Sequence, residues 1–521
     1  MSSASNATRS NEFSVFNPAT GEEVARYPLM SAADVDAVVA RARKAFAAWS
    51  QTSHEARRRI LNKAANVLAD NAGRYADEIA AENGKTRFEA LLAEVYNVSH
   101  SIKYYAKNAE KFLRPVRVPG TMLLPFRKAH YQFEPKGVIG VISPWNYPFS
   151  LSAVPVITAI AAGNAVVLKP SSQTTRAGLI VKEILELAGL PPGVVEVATG
   201  SGSMTGQALV EHPDLNMIYF TGSTEVGRGV NVAAAKRLIP AVMELGGKDV
   251  AIVTRNANLD RAANGIAWTS FTNCGQTCMA TEVILVERPV YDTFVNKLVE
   301  IVRQLKLGKR SGEVGSLTME SQLRTVMSQL EDAKAKGAKV LVGGEKPAGP
   351  GFFFPPTLLA DTTPDMKVRT DETFGPLKPV IPFDTIEEAL AIANSTEFGL
   401  SASVYSQNPE EARSIADGLK TGAVNINEGM MTQAFADLPF GGVKNSGIGR
   451  NHGAEGLRAF TDIKSITEFY GSMKREIIWY PTPANGDKIA EQAIGFLFAG
   501  GWQKRLRALG AAIGQVRKIP K

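Results

Sequence analysis

Between Gly137 and Ser223 short β-branched runs, turns and helical patterns follow one another roughly every 25 to 30 residues. The runs at Gly137 to Ile142, Ala165 to Leu168, Val194 to Ala198 and Met217 to Phe220 are too short for helices and do not alternate with polar residues. Strands of that kind are buried on both faces, and helical stretches at 151 to 162, 176 to 188 and 204 to 211 separate them. The pattern predicts a doubly wound parallel α/β sheet. Ligands of such sheets bind beyond the carboxyl ends of the strands, where Trp145, Asn146, Lys169, Gly222 and Ser223 fall.

The flanks extend the scheme. Residues 12 to 28 read as an extended start with a turn at Asn17-Pro18-Ala19-Thr20-Gly21. Ser31 and Asp34 form a capping-box pattern, with Asp in place of Glu, ahead of Val35, Val38, Val39, Ala42 and Phe46 at helical spacing. Long helices are predicted near 54 to 70, 74 to 82 and 86 to 113. Pro115 to Pro135, with Val116, Val118, Met122, Leu124, Tyr131 and Phe133, reads as a β-hairpin-like insertion. The second half repeats the α/β style. Strands are predicted at 250 to 253, 283 to 286, 339 to 342 and 403 to 405, and helices near 258 to 272, 290 to 305, 318 to 336 and 386 to 394.

A chain of 521 residues is long enough for two or three domains. Its two cysteines exclude a disulfide framework and a four-cysteine zinc site, and its five histidines are scattered singly, so no metal is expected. Net charge is +7, but Lys504, Arg505, Arg507, Arg517, Lys518 and Lys521 supply nearly all of the excess from the last stretch of chain. The basic balance thus describes a tail, and no nucleic-acid-binding face is expected. The Ser/Asn-rich start lacks an apolar run, so no signal peptide is expected, no stretch of about 18 apolar residues predicts a spanning helix, and a cytoplasmic location is expected.

Both cysteines lie in Phe271-Thr-Asn-Cys274-Gly-Gln-Thr-Cys278, and Glu244 precedes them in Met243-Glu244-Leu-Gly-Gly-Lys248. A thiol and a carboxylate beside small residues are parts from which a nucleophile and a base could be built. A buried cysteine is equally able to serve as a small hydrophobe. The glycine motifs are weak singly: Gly200-Ser-Gly202-Ser-Met-Thr-Gly206 has one residue too many for a dinucleotide fingerprint.

Taken together the motifs are specific. Pro144-Trp145-Asn146, Phe220-Thr-Gly222-Ser223, Glu244-Leu-Gly-Gly-Lys248, Gly275-Gln-Thr-Cys278, Glu372-Thr-Phe374-Gly-Pro376 and Pro439-Phe440-Gly-Gly442 occur in that order. The sequence resembles the NAD(P)-dependent aldehyde dehydrogenase superfamily over about residues 12 to 470. The resemblance implies an aldehyde dehydrogenase-like α/β fold of two doubly wound domains plus a small β oligomerisation element. By it, 12 to 114 and 136 to 244 form a dinucleotide-binding domain and 245 to 450 a catalytic domain. Residues 115 to 135 and 451 to 470 would pair strands between subunits of a homodimer or homotetramer.

The same resemblance implies Cys278 as nucleophile, Glu244 as general base and Asn146 as an oxyanion donor. It implies Trp145, Lys169, Ser172, Gly222, Ser223, Glu372 and Phe374 as contacts of NAD or NADP, and leaves Cys274 structural. Aldehyde would bond to the thiol, lose hydride to leave a thioester, and be released as acid by water that Glu244 activates. A CoA-acylating relative would not need that base, and a non-enzymatic protein on this scaffold would not need the triad. Two positions depart from the family. Ser172 stands where NAD-preferring members commonly carry Glu, and a carboxylate there would repel the 2′-phosphate of NADP. Asn451 stands where Gly-Arg-Glu is common.

Leu151, Val154, Met279, Phe435 and Phe440 are expected to line an apolar substrate channel. No Arg or Lys lies at 147 to 155, which argues against a small acid semialdehyde. After Phe469 the character changes. Residues 477 to 480, Ile494, Phe496, Leu497, Phe498, Trp502, Leu506, Leu509 and Ile513 interleave with basic residues, making 471 to 521 a basic amphipathic tail. Contact of 477 to 521 with a membrane surface is one expectation for it, and a helix packed on protein is the other.

Overall fold

The computed structural model describes residues 11–120, 126–476 and 478–516. Met122, Leu124, Ile477, Arg517, Lys518 and Lys521 lie outside the described residues. The chain divides into two compact units. One holds the described residues up to Arg114 together with Gln132–Lys464, and the other holds Pro115–Tyr131 and the described residues from Ser465 on.

The larger unit is built on two sheets. Central to the first is Val138–Ile142, parallel to Ala165–Lys169 on one side and Met217–Thr221 on the other. Val195–Val197 extends it beyond Ala165–Lys169, and Ala241–Glu244 lies beyond Met217–Thr221. Gly447–Ile448 closes the far edge antiparallel to Ala241–Glu244, completing six strands. Buried Val, Ile and Leu fill both faces, which is why these strands carry no polar alternation. Helix Ser150–Ala161 is buried at every residue but Leu151, as a helix apolar on nearly all sides must be. Ser31 and Asp34 close the expected capping box at the start of Ala32–Trp49.

The second sheet has seven strands, with Val250–Val253 parallel to both Val283–Glu287 and Ser401–Tyr405. The strand Leu377–Phe383 within it is absent from the sequence reading because Pro379 and Pro382 argue against an inner strand. Its ladder explains the tolerance. Residues 377 to 379 register with Thr357–Ala360, whereas residues 380 to 383 register with Val283–Glu287. Each proline therefore stands where the strand is registered on one side.

Several boundaries differ from expectation. Residues 86 to 113 run as one helical path with a π-helical turn at Ala90–Tyr96. Gly447–Ile448 belongs to the first sheet rather than to the catalytic half. Helix Gly453–Ala459, expected in the oligomerisation element, belongs to the larger unit: Leu457 and Phe460 enter the core around Ile139, Tyr219 and Phe149. Those two large apolar side chains on a short helix need a core to cover them.

In the smaller unit Val116–Val118 pairs antiparallel with the strand that begins at Arg127, Val116 opposite Tyr131. Two helices end the described chain, Gly486–Phe498 and Trp502–Val516.

Candidate active site

Strand ends of the first sheet supply the first groups. Val138–Ile142 runs into the loop carrying Trp145 and Asn146, and Ala165–Lys169 ends on Lys169. Lys169 is almost fully buried, and burial pulls its ammonium down to about 8. Ser172 is half-buried just beyond it. Met217–Thr221 leads through Gly222 to Ser223, whose hydroxyl caps helix Thr224–Lys236 by accepting the Val226 N–H. A helix start in that place favours an anionic ligand group. The buried Thr221 hydroxyl has no hydrogen-bond partner.

Ala241–Glu244 ends on Glu244, a strand end that the sequence reading leaves unassigned. Glu244 is buried, its Oε1 has no partner, and burial raises its carboxyl to about 8. Gly441 matters here: a Cβ on it would lie 3.1 Å from Glu244 Oε1. Lys248 ties this motif to the next. Its ammonium pairs with Glu282 at 2.9 Å and donates to the Asp371 carbonyl at 2.6 Å. Burial pushes Glu282 up, but Lys248 and Lys378 outweigh it and hold the carboxyl at about 2. Glu282 in turn accepts the Thr373 N–H, so both flanks of Glu372 are fixed. Glu372 accepts the Gly247 N–H at 3.0 Å, and burial raises it to about 7. Phe374 packs edge-on to Trp145, ring centroids 5.4 Å apart.

Cys278 follows helix Leu259–Phe271 and the turn Thr272–Gly275. Asn273 and Cys274 both adopt positive φ in that turn, which folds the chain back sharply. The Asn273 side chain holds the turn by donating to the Asn146 and Gln276 carbonyls. Cys274 is fully buried among Val314, Leu317 and Phe354, whereas Cys278 is partly exposed to a cavity. Burial pushes the Cys278 thiol up, and the carboxylates of Asp249, Glu244 and Glu372 push it further. Gly247 lies against its backbone, where a Cβ would stand 2.7 Å from the Cys278 carbonyl oxygen.

Asn146 is held from several sides by groups that sequence reasoning missed. Its side-chain amide donates to the Gln276 carbonyl at 3.1 Å. Its own carbonyl accepts from Lys85 Nζ at 3.0 Å and from Asn273, and Asn83 secures the Trp145 carbonyl at 2.7 Å. Lys85 forms a fully buried pair with Glu94. The other Glu94 oxygen accepts the N–H groups of Phe149 and Ser150, capping helix Ser150–Ala161 from a different helix. No local motif announces this arrangement, because its members meet only across the fold. Among the described residues no cluster able to hold a metal occurs.

The cavity that reaches Cys278 has a volume of about 310 Å³. Leu151 and Met279 line it as expected. Leu92, Tyr96, Trp268, Met430 and Met431 also line it, and the sequence reading passed over them. Leu92 and Tyr96, four residues apart, were the readable signal, a pair on one helix face. Val154 is buried within its helix and lies outside the lining, because only the helix start at Ser150 and Leu151 reaches the cavity. Phe440 joins Met279 and Leu400 in a small cluster on which Cys278 packs, and Phe435 is exposed and outside the lining, next in sequence to the lining residues Gln433 and Ala434. No lysine or arginine lines the cavity, and Tyr147 and Thr277 turn their hydroxyls to each other at 2.8 Å.

An α/β protein with a dinucleotide-type sheet, buried polar side chains at its strand ends and a partly exposed thiol beside a cavity has the parts of an oxidoreductase. The model of the aldehyde dehydrogenase family matches residues 5–466, and the chain belongs to that family. A Mycobacterium ulcerans protein provisionally named succinate-semialdehyde dehydrogenase (NADP+) 2 is 41% identical over 455 residues, 86% of each chain. The 4,4′-diapolycopene aldehyde oxidase of Methylomonas sp. is 36% identical over 488 residues, covering 92% of this chain and 90% of that one. The NAD+ complex of a Bacillus cereus aldehyde dehydrogenase superposes with a TM-score of 0.85 at 34% identity, over 88% and 94% of the two chains. The protein is an aldehyde-oxidising enzyme.

Proposed function

We propose that this enzyme oxidises apolar aldehydes to carboxylic acids, with Cys278 as nucleophile, Asn146 as oxyanion donor and Glu244 as base. The observation that carries the substrate class is an apolar cavity leading to a partly exposed thiol, with no lysine or arginine in its lining. The Cys278 thiol gives its proton to solvent as its sulfur bonds to the carbonyl carbon, the Asn146 amide with the Cys278 N–H receives the oxygen that becomes negative, and loss of hydride from that carbon re-forms the carbonyl as a thioester. A bound nicotinamide dinucleotide supplies the hydride acceptor. Glu244 then takes a proton from water, whose oxygen attacks the thioester carbon, and the acid leaves as the thiol is restored. Glu244 favours water over CoA as acyl acceptor, since thiol transfer would not need a buried base.

The Mycobacterium relative's name points to a charged semialdehyde, the Methylomonas relative's to a long polyene aldehyde. A carboxylate in this cavity would be desolvated with no lysine or arginine to pair with, His100 being the one lining side chain able to become cationic, at a cost of several kcal/mol. Medium-chain or aromatic aldehydes are expected to exceed succinate semialdehyde in kcat/KM by about 100-fold or more. The reverse order, read as NAD(P)H absorbance, would reject the apolar assignment.

For the cofactor, the support is Lys169, Gly222, Ser223, Glu372 and Phe374 at the strand ends, with Ser172 beside Lys169. A buried ammonium at Lys169 and the carboxylate of Glu372 fit ribose hydroxyls, and Gly246 leaves room, since a Cβ there would stand 2.5 Å from Glu372 Oε2. Ser172 is compatible with the 2′-phosphate of NADP. Ser172→Glu is expected to raise KM for NADP by about tenfold or more while changing that for NAD little. Failure of the wild type to use NADP would overturn this assignment.

Assembly as a homodimer or homotetramer is supported by the long, largely exposed strand Thr461–Phe469 at a sheet edge. A cytoplasmic location, with contact of the C-terminal residues at a membrane surface, suits an enzyme whose substrates partition into lipid.

A further inference from the structure

The C-terminal helices form an antiparallel hairpin. Asn485 Nδ2 donates to the Gln515 carbonyl at 3.0 Å and to its side chain at 3.1 Å, so the start of one helix meets the end of the other. Near the turn they approach closely: a Cβ on Gly495 would lie 3.2 Å from the Ala508 Cβ. In these two helices only Ile489 and Ala508 are buried. Six large apolar residues of these helices are exposed, and four of them flank the turn Ala499-Gly500-Gly501, with Ile513 and Val516 at the other end. Ile494 is 59% exposed, Phe498 74%, Trp502 70% and Leu506 54%.

Charge is divided along the same axis. Lys504, Arg505 and Arg507 stand exposed within two turns of the tip, and no acid occurs from Gln492 to Val516. The acids of the first helix, Asp487 and Glu491, lie toward the opposite end, where Lys488 is the helix's one cation. Arg505 also donates to the Ala499 carbonyl at 2.8 Å, tying the turn to the basic segment. An apolar tip collared by cations matches a surface that is anionic at its headgroups and apolar beneath them. It does not match a second copy in two-fold contact, which would bring identical cations together. Nor is either helix long and apolar enough to cross a bilayer.

We infer that the turn of this hairpin enters the headgroup layer of an anionic lipid membrane, Phe498 and Trp502 leading and Lys504, Arg505 and Arg507 resting on the phosphates. Trp and Phe beside long cationic side chains are the composition of an interfacial anchor, the aromatic rings at headgroup level and the ammonium or guanidinium above. The inference deepens the membrane contact proposed above but stands on the hairpin and not on the substrate cavity.

The test is co-sedimentation of the full-length enzyme with phosphatidylcholine vesicles and with vesicles that also contain phosphatidylglycerol. Wild type is expected to pellet with the anionic vesicles and to be released by salt. Phe498→Ser with Trp502→Ser should lower the partition coefficient about 100-fold or more, the contribution of two buried aromatic rings. Lys504→Glu with Arg507→Glu keeps the apolar residues and should lower it at least about tenfold on anionic vesicles alone. Oxidation of a short, water-soluble aldehyde by both variants should match wild type, showing that the larger unit is intact. Equal pelleting of wild type and either variant, or equal binding to neutral vesicles, overturns the inference. So does a fall in oligomer mass by light scattering in the aromatic variant, which would assign the tip to a protein contact. Loss of aldehyde oxidation by wild type with lipid binding retained would instead overturn the enzymatic reading alone.

Discussion

Cys278→Ala is expected to lower turnover at least about a thousandfold while the protein stays folded and still binds its dinucleotide. The substitution removes one sulfur from a side chain that is partly exposed to a cavity, so little packing is lost. Cys274→Ala should behave in the opposite way. That side chain is fully buried among Val314, Leu317 and Phe354, and losing it should cost about 1 kcal/mol of stability while activity per folded molecule is kept. The two variants separate chemistry from packing because the cysteines share one turn but face different surroundings. Burial and three neighbouring carboxylates push the Cys278 thiol upward, so the resting group is protonated at neutral pH. Alkylation by iodoacetamide should therefore accelerate with rising pH across the alkaline range, and should disappear in Cys278→Ala. Appreciable oxidation by the purified variant, read as NAD(P)H formation, would remove Cys278 from the nucleophile's role.

The contrast between the cysteines also marks how far the sequence could be read. Positions alone placed both thiols four residues apart in one short stretch, and only the ordered motifs around them separated Cys278 from Cys274. The strands of the first sheet were legible because burial on both faces demands unbroken apolar runs, and the runs at 138 to 142 and 165 to 168 are just that. Leu377–Phe383 was not, since its two prolines read as breakers until the change of ladder partner is known. Helix Gly453–Ala459 went to the wrong part of the chain for a similar reason. Its membership of the larger core depends on Leu457 and Phe460 finding partners more than 200 residues earlier in sequence, beside Tyr219 and Ile139. The support of Asn146 by Lys85, Glu94, Asn83 and Asn273 is likewise a product of tertiary assembly. Among the channel residues, helical spacing identified Leu151 but could not show that Val154 is sealed by its own helix.

Glu244→Gln is expected to keep a first burst of NAD(P)H and to lower the steady rate by about 100-fold or more, because it removes the base from thioester hydrolysis and leaves the thiol in place. The buried carboxyl titrates at about 8, raised chiefly by its removal from water. Only its ionised form can accept a proton, so wild-type steady turnover should climb as pH rises through that value, and the Gln variant should lose this limb. Stability should move the other way. The folded state holds the Glu244 proton well above the range in which an unfolded chain releases it. The contribution of this group is therefore full below the ordinary carboxylate range and is lost as pH rises toward 8. Gln mimics the neutral acid and carries no such penalty, so at pH 9 the variant should melt about 3 °C above wild type, with the difference vanishing in acid. A carboxyl whose Oε1 is buried without a partner destabilises its own fold, and the base proposed for water attack is such a group. A variant that loses the burst itself, or that melts no higher than wild type at alkaline pH, would show that Glu244 serves the thiol step or the packing instead.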